Sequence, residues 1–180
     1  MPNWVECDFR VEGELSELRK FQIFAKDECL LSANKFIPYP KKFEELDKMS
    51  KDIHELESMT QKTQKEKTKL GKLKILFNLK GNKDGFNIGG YRWCLDNWGT
   101  KWGLCEVELV MEDESELEYT FETAWSPPLP IVKVMGEMFP KLKFELRYFE
   151  GGSGFNGLYI MEDGKVETNR QADYFGSRGG

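Results

Sequence analysis

Histidine is almost missing from this 180-residue chain, with His54 the single one. A histidine general base therefore has one candidate, and its setting, Lys51-Asp52-Ile53-His54-Glu55, is the surface of a polar helix. The four cysteines, Cys7, Cys29, Cys94 and Cys105, show no CxxC or other zinc spacing. Each lies beside apolar residues, so all four read as buried free thiols. No apolar run approaches membrane-spanning length, and the N-terminal residues lack the basic start and apolar stretch of a signal peptide. A cytoplasmic, membrane-free protein is expected. Basic excess is lacking too: the net charge of −5 argues against a dedicated nucleic-acid binder.

What is present is aromatic. Four of the five tryptophans fall in two short stretches, Tyr91-Arg92-Trp93-Cys94-Leu95-Asp96-Asn97-Trp98-Gly99-Thr100-Lys101-Trp102 and Thr123-Ala124-Trp125-Ser126-Pro127-Pro128. Such a cluster is either a structural keystone or a recognition surface. A hydrophobic fraction of 39% is enough for a packed core, and 32% charged residues leave a well-solvated surface.

Period-two alternation predicts strands over 3–12, 104–111, 116–124 and 142–149. Helical spacing predicts helices over 14–26 and 128–138, the second with Ser126 as its N-cap. A last short strand over 158–161 ends at the Asp163-Gly164 turn. The order β, α, β, β, α, β is the ferredoxin-like α+β sandwich: an antiparallel sheet, strands ordered 4-1-3-2, with two helices on one face. Residues 1–167 form this single domain and 168–180 a loose polar tail. An inserted arm at about 30–90 opens with the extended Ile37-Pro38-Tyr39-Pro40 piece. It continues as one long polar helix or two over 43–70 and returns through the turn-rich 81–90 stretch.

On the open face the alternation places Glu6, Asp8 and Arg10, then Glu106 and Glu108, then Glu118 and Glu122, then Lys143, Glu145 and Arg147. The face is mostly acidic, unlike the basic, aromatic face that reads single-stranded RNA. Glu106 should sit directly opposite Glu122. Like charges across a ladder destabilise it, so a basic group is expected over them. That group is either the arm, with Lys62, Lys65, Lys67, Lys69, Lys72, Lys74, Lys80 and Lys83, or a partner protein; otherwise the charges are simply solvated. No short-loop ligand set for a metal is apparent on this face.

The tryptophans leave two readings open. In one, Trp98, Trp102 and Trp125 pack together as core. In the other they line a small-molecule pocket in which an indole stacks on a ring, Lys101 and Arg92 meet a phosphate, and Gly151-Gly152-Ser153-Gly154 form a mobile rim. That glycine loop lacks the ending of a P-loop. No catalytic constellation is recognisable and no cofactor is implied.

The sequence also resembles a known family. Met1-Pro2-Asn3-Trp4, Asn34-Lys35-Phe36-Ile37-Pro38, Asn97-Trp98-Gly99-Thr100-Lys101-Trp102, Phe121-Glu122-Thr123-Ala124-Trp125-Ser126-Pro127-Pro128 and Arg147-Tyr148-Phe149-Glu150 with its following glycines resemble the YubB-like family. Its members are small proteins of phages, plasmids and integrated elements. The resemblance implies a ferredoxin-like domain, a mobile-element setting and no established activity. The function expected is therefore non-enzymatic interaction with a host protein, an antiviral-defence component among the candidates, through the acidic face or the arm. Binding of a small molecule or nucleotide at the tryptophans is the alternative.

Overall fold

The computed structural model describes residues 3–80 and 90–174. In chain order the elements are β1 (Trp4–Glu12), α1 (Leu15–Ala25), α2 (Ala33–Phe36), α3 (Lys41–Ser58), α4 (Gln64–Lys80), α5 (Tyr91–Trp98), β2 (Cys105–Glu112), β3 (Glu116–Ala124), α6 (Leu129–Met138), β4 (Lys143–Glu150), β5 (Phe155–Glu162) and β6 (Lys165–Asp173). They fall into two compact units, one of Met1–Pro38 with Trp93–Gly180, the other Tyr39–Arg92. The turn-rich return over 81–89, with Lys83, and the end of the expected tail, 175–180, lie outside the described residues.

In the first unit the strands form one antiparallel sheet, ordered β2-β3-β1-β4-β5-β6. Its first four positions are the ferredoxin-like order. Val5, Cys7, Phe9 and Val11 of β1 are all buried, as are Leu117, Tyr119 and Phe121 of β3 and Phe144, Leu146 and Tyr148 of β4. Alternation thus does what it must in a half-buried strand, sending every second side chain to one face. Leu18, Phe21 and Ala25, spaced by three and four, turn the stripe of α1 onto that face, where Phe21 meets Phe144 at a ring separation of 5.4 Å. On α6, Gly136 lies so near the sheet that a Cβ there would be 2.7 Å from the methyl carbon of Met161. Phe144 and Met161 are directly paired across β4 and β5, so both helices cover the same face. Each fully buried aromatic or aliphatic side chain here contributes roughly 1.5–3 kcal/mol.

Three expectations need correction. The tail expected from Thr168 runs as β6 through Asp173, paired with β5 along its length. Its residues are polar on both sides because an edge strand packs little, and its ladder is backbone. The turn feeding it has Asp163 at φ 51° and Gly164 at φ 70°, the left-handed pair that a two-residue hairpin requires. Secondly, the thiols are not all buried: Cys29 is exposed and Cys105 half-buried. Thirdly, Ser126 does not cap α6. Pro128 occupies the N-cap, and the Ser126 hydroxyl donates instead to the Gly99 carbonyl at 2.5 Å.

In the second unit the polar stretch is two helices, with Phe43, Leu46 and Leu56 of α3 buried. Lys74 of α4 pairs with Glu57 of α3 at 2.5 Å. A capping box opens α4: the Thr63 N–H donates to Glu66 Oε2 at 2.8 Å, and the Glu66 N–H donates back to Thr63 Oγ1 at 3.3 Å. The Thr63 N–H, together with the Thr63 hydroxyl that donates to the same Oε2 at 2.8 Å, holds the Glu66 carboxyl below its ordinary value. His54 is exposed on α3. No helix among the described residues is long and apolar enough to cross a membrane.

Candidate functional site

Strand register fixes what lies on the open face, because directly opposed residues project to the same side. One row reads Cys105, Glu122, Glu6 and Phe149 across β2, β3, β1 and β4. The next reads Glu108, Thr120, Asp8 and Arg147, and the third Met111, Glu118, Arg10 and Glu145. Glu106 therefore does not oppose Glu122, contrary to expectation. It sits in a register shift between Cys105 and Glu108, with φ at 48°, and the bulge moves it off the regular alternation to an exposed position. The glutamate that does face Glu122 is Glu6.

The two like-charge pairs of the face differ in their surroundings. Glu12 opposes Glu116, but Lys143 Nζ lies 3.3 Å from Glu12 and Arg10 Nε lies 2.7 Å from Glu116. Arg10 also donates to Glu118 Oε1, from Nε at 3.1 Å and from a terminal nitrogen at 2.5 Å. Arg10, a residue of the sheet itself, thus neutralises the Glu116 and Glu118 end of the face, not the Glu106 and Glu122 end over which a basic group was expected. Its cost is visible at Glu116, whose carboxyl is pushed up by burial even though the Arg10 charge pulls it down. Glu118 is consumed in this network. The Glu6–Glu122 row runs between Cys105 and Phe149.

Beyond that row the face ends in tryptophan. Trp4 opposes Ala124 and lies 5.8 Å, ring to ring, from Trp102; the two are 36% and 39% exposed. Trp125 is 38% exposed and holds the left-handed conformation, φ 77°, with its N–H donated to the Asn3 carbonyl at 2.9 Å. Between Trp102 and Trp125 lies the Lys101 ammonium, 4.9 and 4.2 Å from their ring centres. The Lys101 stem is buried, tied by its N–H to the Ala124 carbonyl, which Thr100 Oγ1 also meets.

The tryptophan cluster is therefore split. Trp98 is core: it is 7% exposed, packs edge-on against Trp93 at 5.5 Å and donates Nε1–H to the Ile37 carbonyl at 2.8 Å. Trp102, Trp125 and Trp4 are surface. Gly99 must be glycine, since φ is 78° and a Cβ would fall 2.6 Å from the Pro130 ring. Arg92 is exposed and belongs to the second unit.

The glycine loop is anchored rather than a free rim. Glu150, 3% exposed, accepts the Gly152 N–H at 2.7 Å and the Ser153 N–H, and the Asn3 amide donates to Ser153 Oγ at 3.1 Å. Those N–H groups already face a carboxylate, so they offer a phosphate nothing. Tyr174, buried just beyond β6, donates its N–H to the Gly154 carbonyl at 2.8 Å. Among the described residues no group of three or more histidines, cysteines or carboxylates could hold a metal ion. The Cys7 thiol is driven far up by burial and is chemically quiet.

Sequence reasoning missed Trp4 as a member of the surface cluster and Arg10 as counter-charge. The signal for Trp4 was its place two residues before Glu6 on an alternating strand.

Residues 105–176 match the family model described as the ferredoxin-like domain in Api92-like protein. Among solved structures, the crystal structure of a protein api92 from Yersinia pseudotuberculosis is similar in fold, with a TM-score of 0.56 at 8% identity over 98% of this chain and 99% of that one. No curated protein matches the chain.

Proposed function

We propose that this chain is a non-enzymatic binding protein that docks a basic segment of a partner protein on the β2–β3–β1 half of its open face. The observation that carries the reading is the density of carboxylates on that half, Glu6 directly opposite Glu122 with Asp8 and Glu108 in the next row, and Trp4 and Trp102 beyond them. A lysine or arginine from a partner is drawn to these carboxylates and lies against an indole face. Asp8, Glu106 and Glu108 extend the negative field, while Glu118 is withdrawn into its pairing with Arg10. Binding is favoured over catalysis because these carboxylates are spread over the helix-free side of the sheet.

The tryptophan-lined small-molecule reading is the weaker one, because Lys101 fills the slot between Trp102 and Trp125 that a flat ligand would need. The YubB-like resemblance supports a phage- or plasmid-borne origin. The partner is then a protein of the host cytoplasm, a component of antiviral defence among the candidates.

The test is affinity capture from host lysate with the natural chain and with the Glu6→Gln/Glu122→Gln variant, washed at low and at high salt. A partner held by the natural chain, lost from the variant and released by salt supports the reading. The same proteins captured by both chains would refute it.

A further inference from the structure

We propose that the outer stripe of α4 is a docking seam for an acidic amphipathic helix of a partner protein. The site lies in the second unit and is independent of the carboxylates of the sheet. Lys65, Lys69, Lys72, Leu76 and Leu79 recur at alternating steps of four and three residues. Residues so spaced fall in one line along a helix, here about 21 Å long at 1.5 Å per residue.

The stripe faces away from α3. Lys74, which pairs with Glu57 of α3, stands two residues from both Lys72 and Leu76 and so about 200° round the helix from each. Lys62 is engaged as well, donating to the Glu57 and Met59 carbonyls. Lys65, Lys69 and Lys72 are different: all three are exposed and have no ion pair or side-chain hydrogen bond among the described residues. Leu76 and Leu79 continue the line at 47% and 78% exposed, with Ile75 beside them at 63%. A groove of about 580 Å³ follows the first four layers, and half-buried Leu73 adds to its lining. Glu66 lines it too, but its Oε2 is taken by the Thr63 N–H and hydroxyl.

Three cationic layers followed by two apolar ones define the occupant. Alternating four- and three-residue spacing is the seam by which one helix meets another, and a partner helix with carboxylates opposite the lysines and apolar side chains opposite the leucines completes every layer. A nucleic-acid backbone matches the lysines but gives Leu76 and Leu79 no apolar seat. A bilayer needs an apolar stripe along the whole helix, and here lysine holds the middle of the stripe in three of its five layers.

The experiment is fluorescence anisotropy of the whole chain with labelled three-heptad peptides carrying glutamate at the seam positions of one half and leucine at those of the other. Two peptides, glutamate half first and leucine half first, cover both directions of docking. One of them should bind saturably, and Lys65→Gln/Lys69→Gln/Lys72→Gln should weaken it by roughly tenfold or more, as should Leu76→Gln/Leu79→Gln. Glutamine is a good helix former, so the circular dichroism of both variants should match that of the natural chain. Lys69→Glu and Lys67→Glu change the net charge equally, yet only Lys69 lies on the stripe. Lys69→Glu alone should weaken binding by about fivefold, the upper scale of one exposed ion pair. Binding of neither peptide at high micromolar concentration would overturn the proposal, as would equal losses in Lys67→Glu and Lys69→Glu or unaltered binding by the leucine variant. Tighter binding to a short DNA duplex or to phosphatidylglycerol vesicles than to either peptide would also overturn it, by making the stripe a phosphate-binding surface.

Discussion

Arg10 and Glu118 stand directly opposite each other on β1 and β3, and the guanidinium gives two of its N–H groups to one carboxylate oxygen, at 3.1 and 2.5 Å. Because Arg10 also lies against Glu116, one cation holds two carboxylates on the sheet, one of them with its Oε1 buried. Arg10→Gln should cost about 1–2 kcal/mol at neutral pH, a value kept modest because the arginine is partly exposed to screening water. The pH dependence has a definite sign. Burial already lifts the Glu116 carboxyl above its ordinary 4.5, and loss of Arg10 lifts it further. A carboxyl with a raised folded pKa costs stability above that pKa and nothing below its unfolded value. The Arg10→Gln deficit should therefore shrink as pH falls toward 4.5, measured by urea unfolding at several pH values.

The tryptophans should separate on substitution. Trp98→Ala empties a core position and breaks its bond to the Ile37 carbonyl, so a loss of about 3–5 kcal/mol is expected. Trp102→Ala removes a partly exposed ring and one cation–π contact, for a loss of about 1 kcal/mol. Thermal melts of the two variants distinguish them. Equal losses would contradict the division into one core and one surface tryptophan.

Glu150 should control the glycine loop. With Glu150→Gln the side chain can accept only one of the two N–H bonds through its remaining oxygen, and its NH₂ group faces another donor. Hydrogen exchange at Gly152 and Ser153 should accelerate by roughly tenfold or more, as loss of a charge-assisted bond implies. Unchanged protection at those two amides would show that Tyr174 and Asn3 hold the loop without it.

The strands and helices around the core were legible because each has one buried side. Val5 to Val11 alternate without a break, and Leu18, Phe21 and Ala25 keep helical spacing. Where burial does not impose a period, the residues say less. Lys165–Asp173 is polar on both sides, and only the Asp163-Gly164 turn signals a returning strand. In β2 a bulge at Glu106 breaks the alternation, so a glutamate assigned by counting was paired with the wrong partner. Trp98 and Trp102 are four residues apart, yet one ends a helix facing the core and the other lies past the Gly99 turn at the surface. The Thr63-to-Glu66 capping box was readable and would have divided the polar stretch into two helices.

Opposed carboxylates on a surface repel, and a binding face accepts that penalty. Glu122→Gln should raise stability by about 0.2–1 kcal/mol, the scale of cross-strand pairs. Denaturant midpoints of the natural and substituted chains give the sign. A fall in stability would mean that a stabilising contact at Glu122 outweighs its repulsion with Glu6.

The most direct measurement is the affinity of a captured partner for the natural chain and for Glu6→Gln/Glu122→Gln, by calorimetry at two salt concentrations. A basic segment seated on the Glu6–Glu122 row predicts at least about tenfold weaker binding to the variant, and a salt dependence that is smaller in the variant than in the natural chain. Equal affinity and equal salt dependence in the two chains would contradict it.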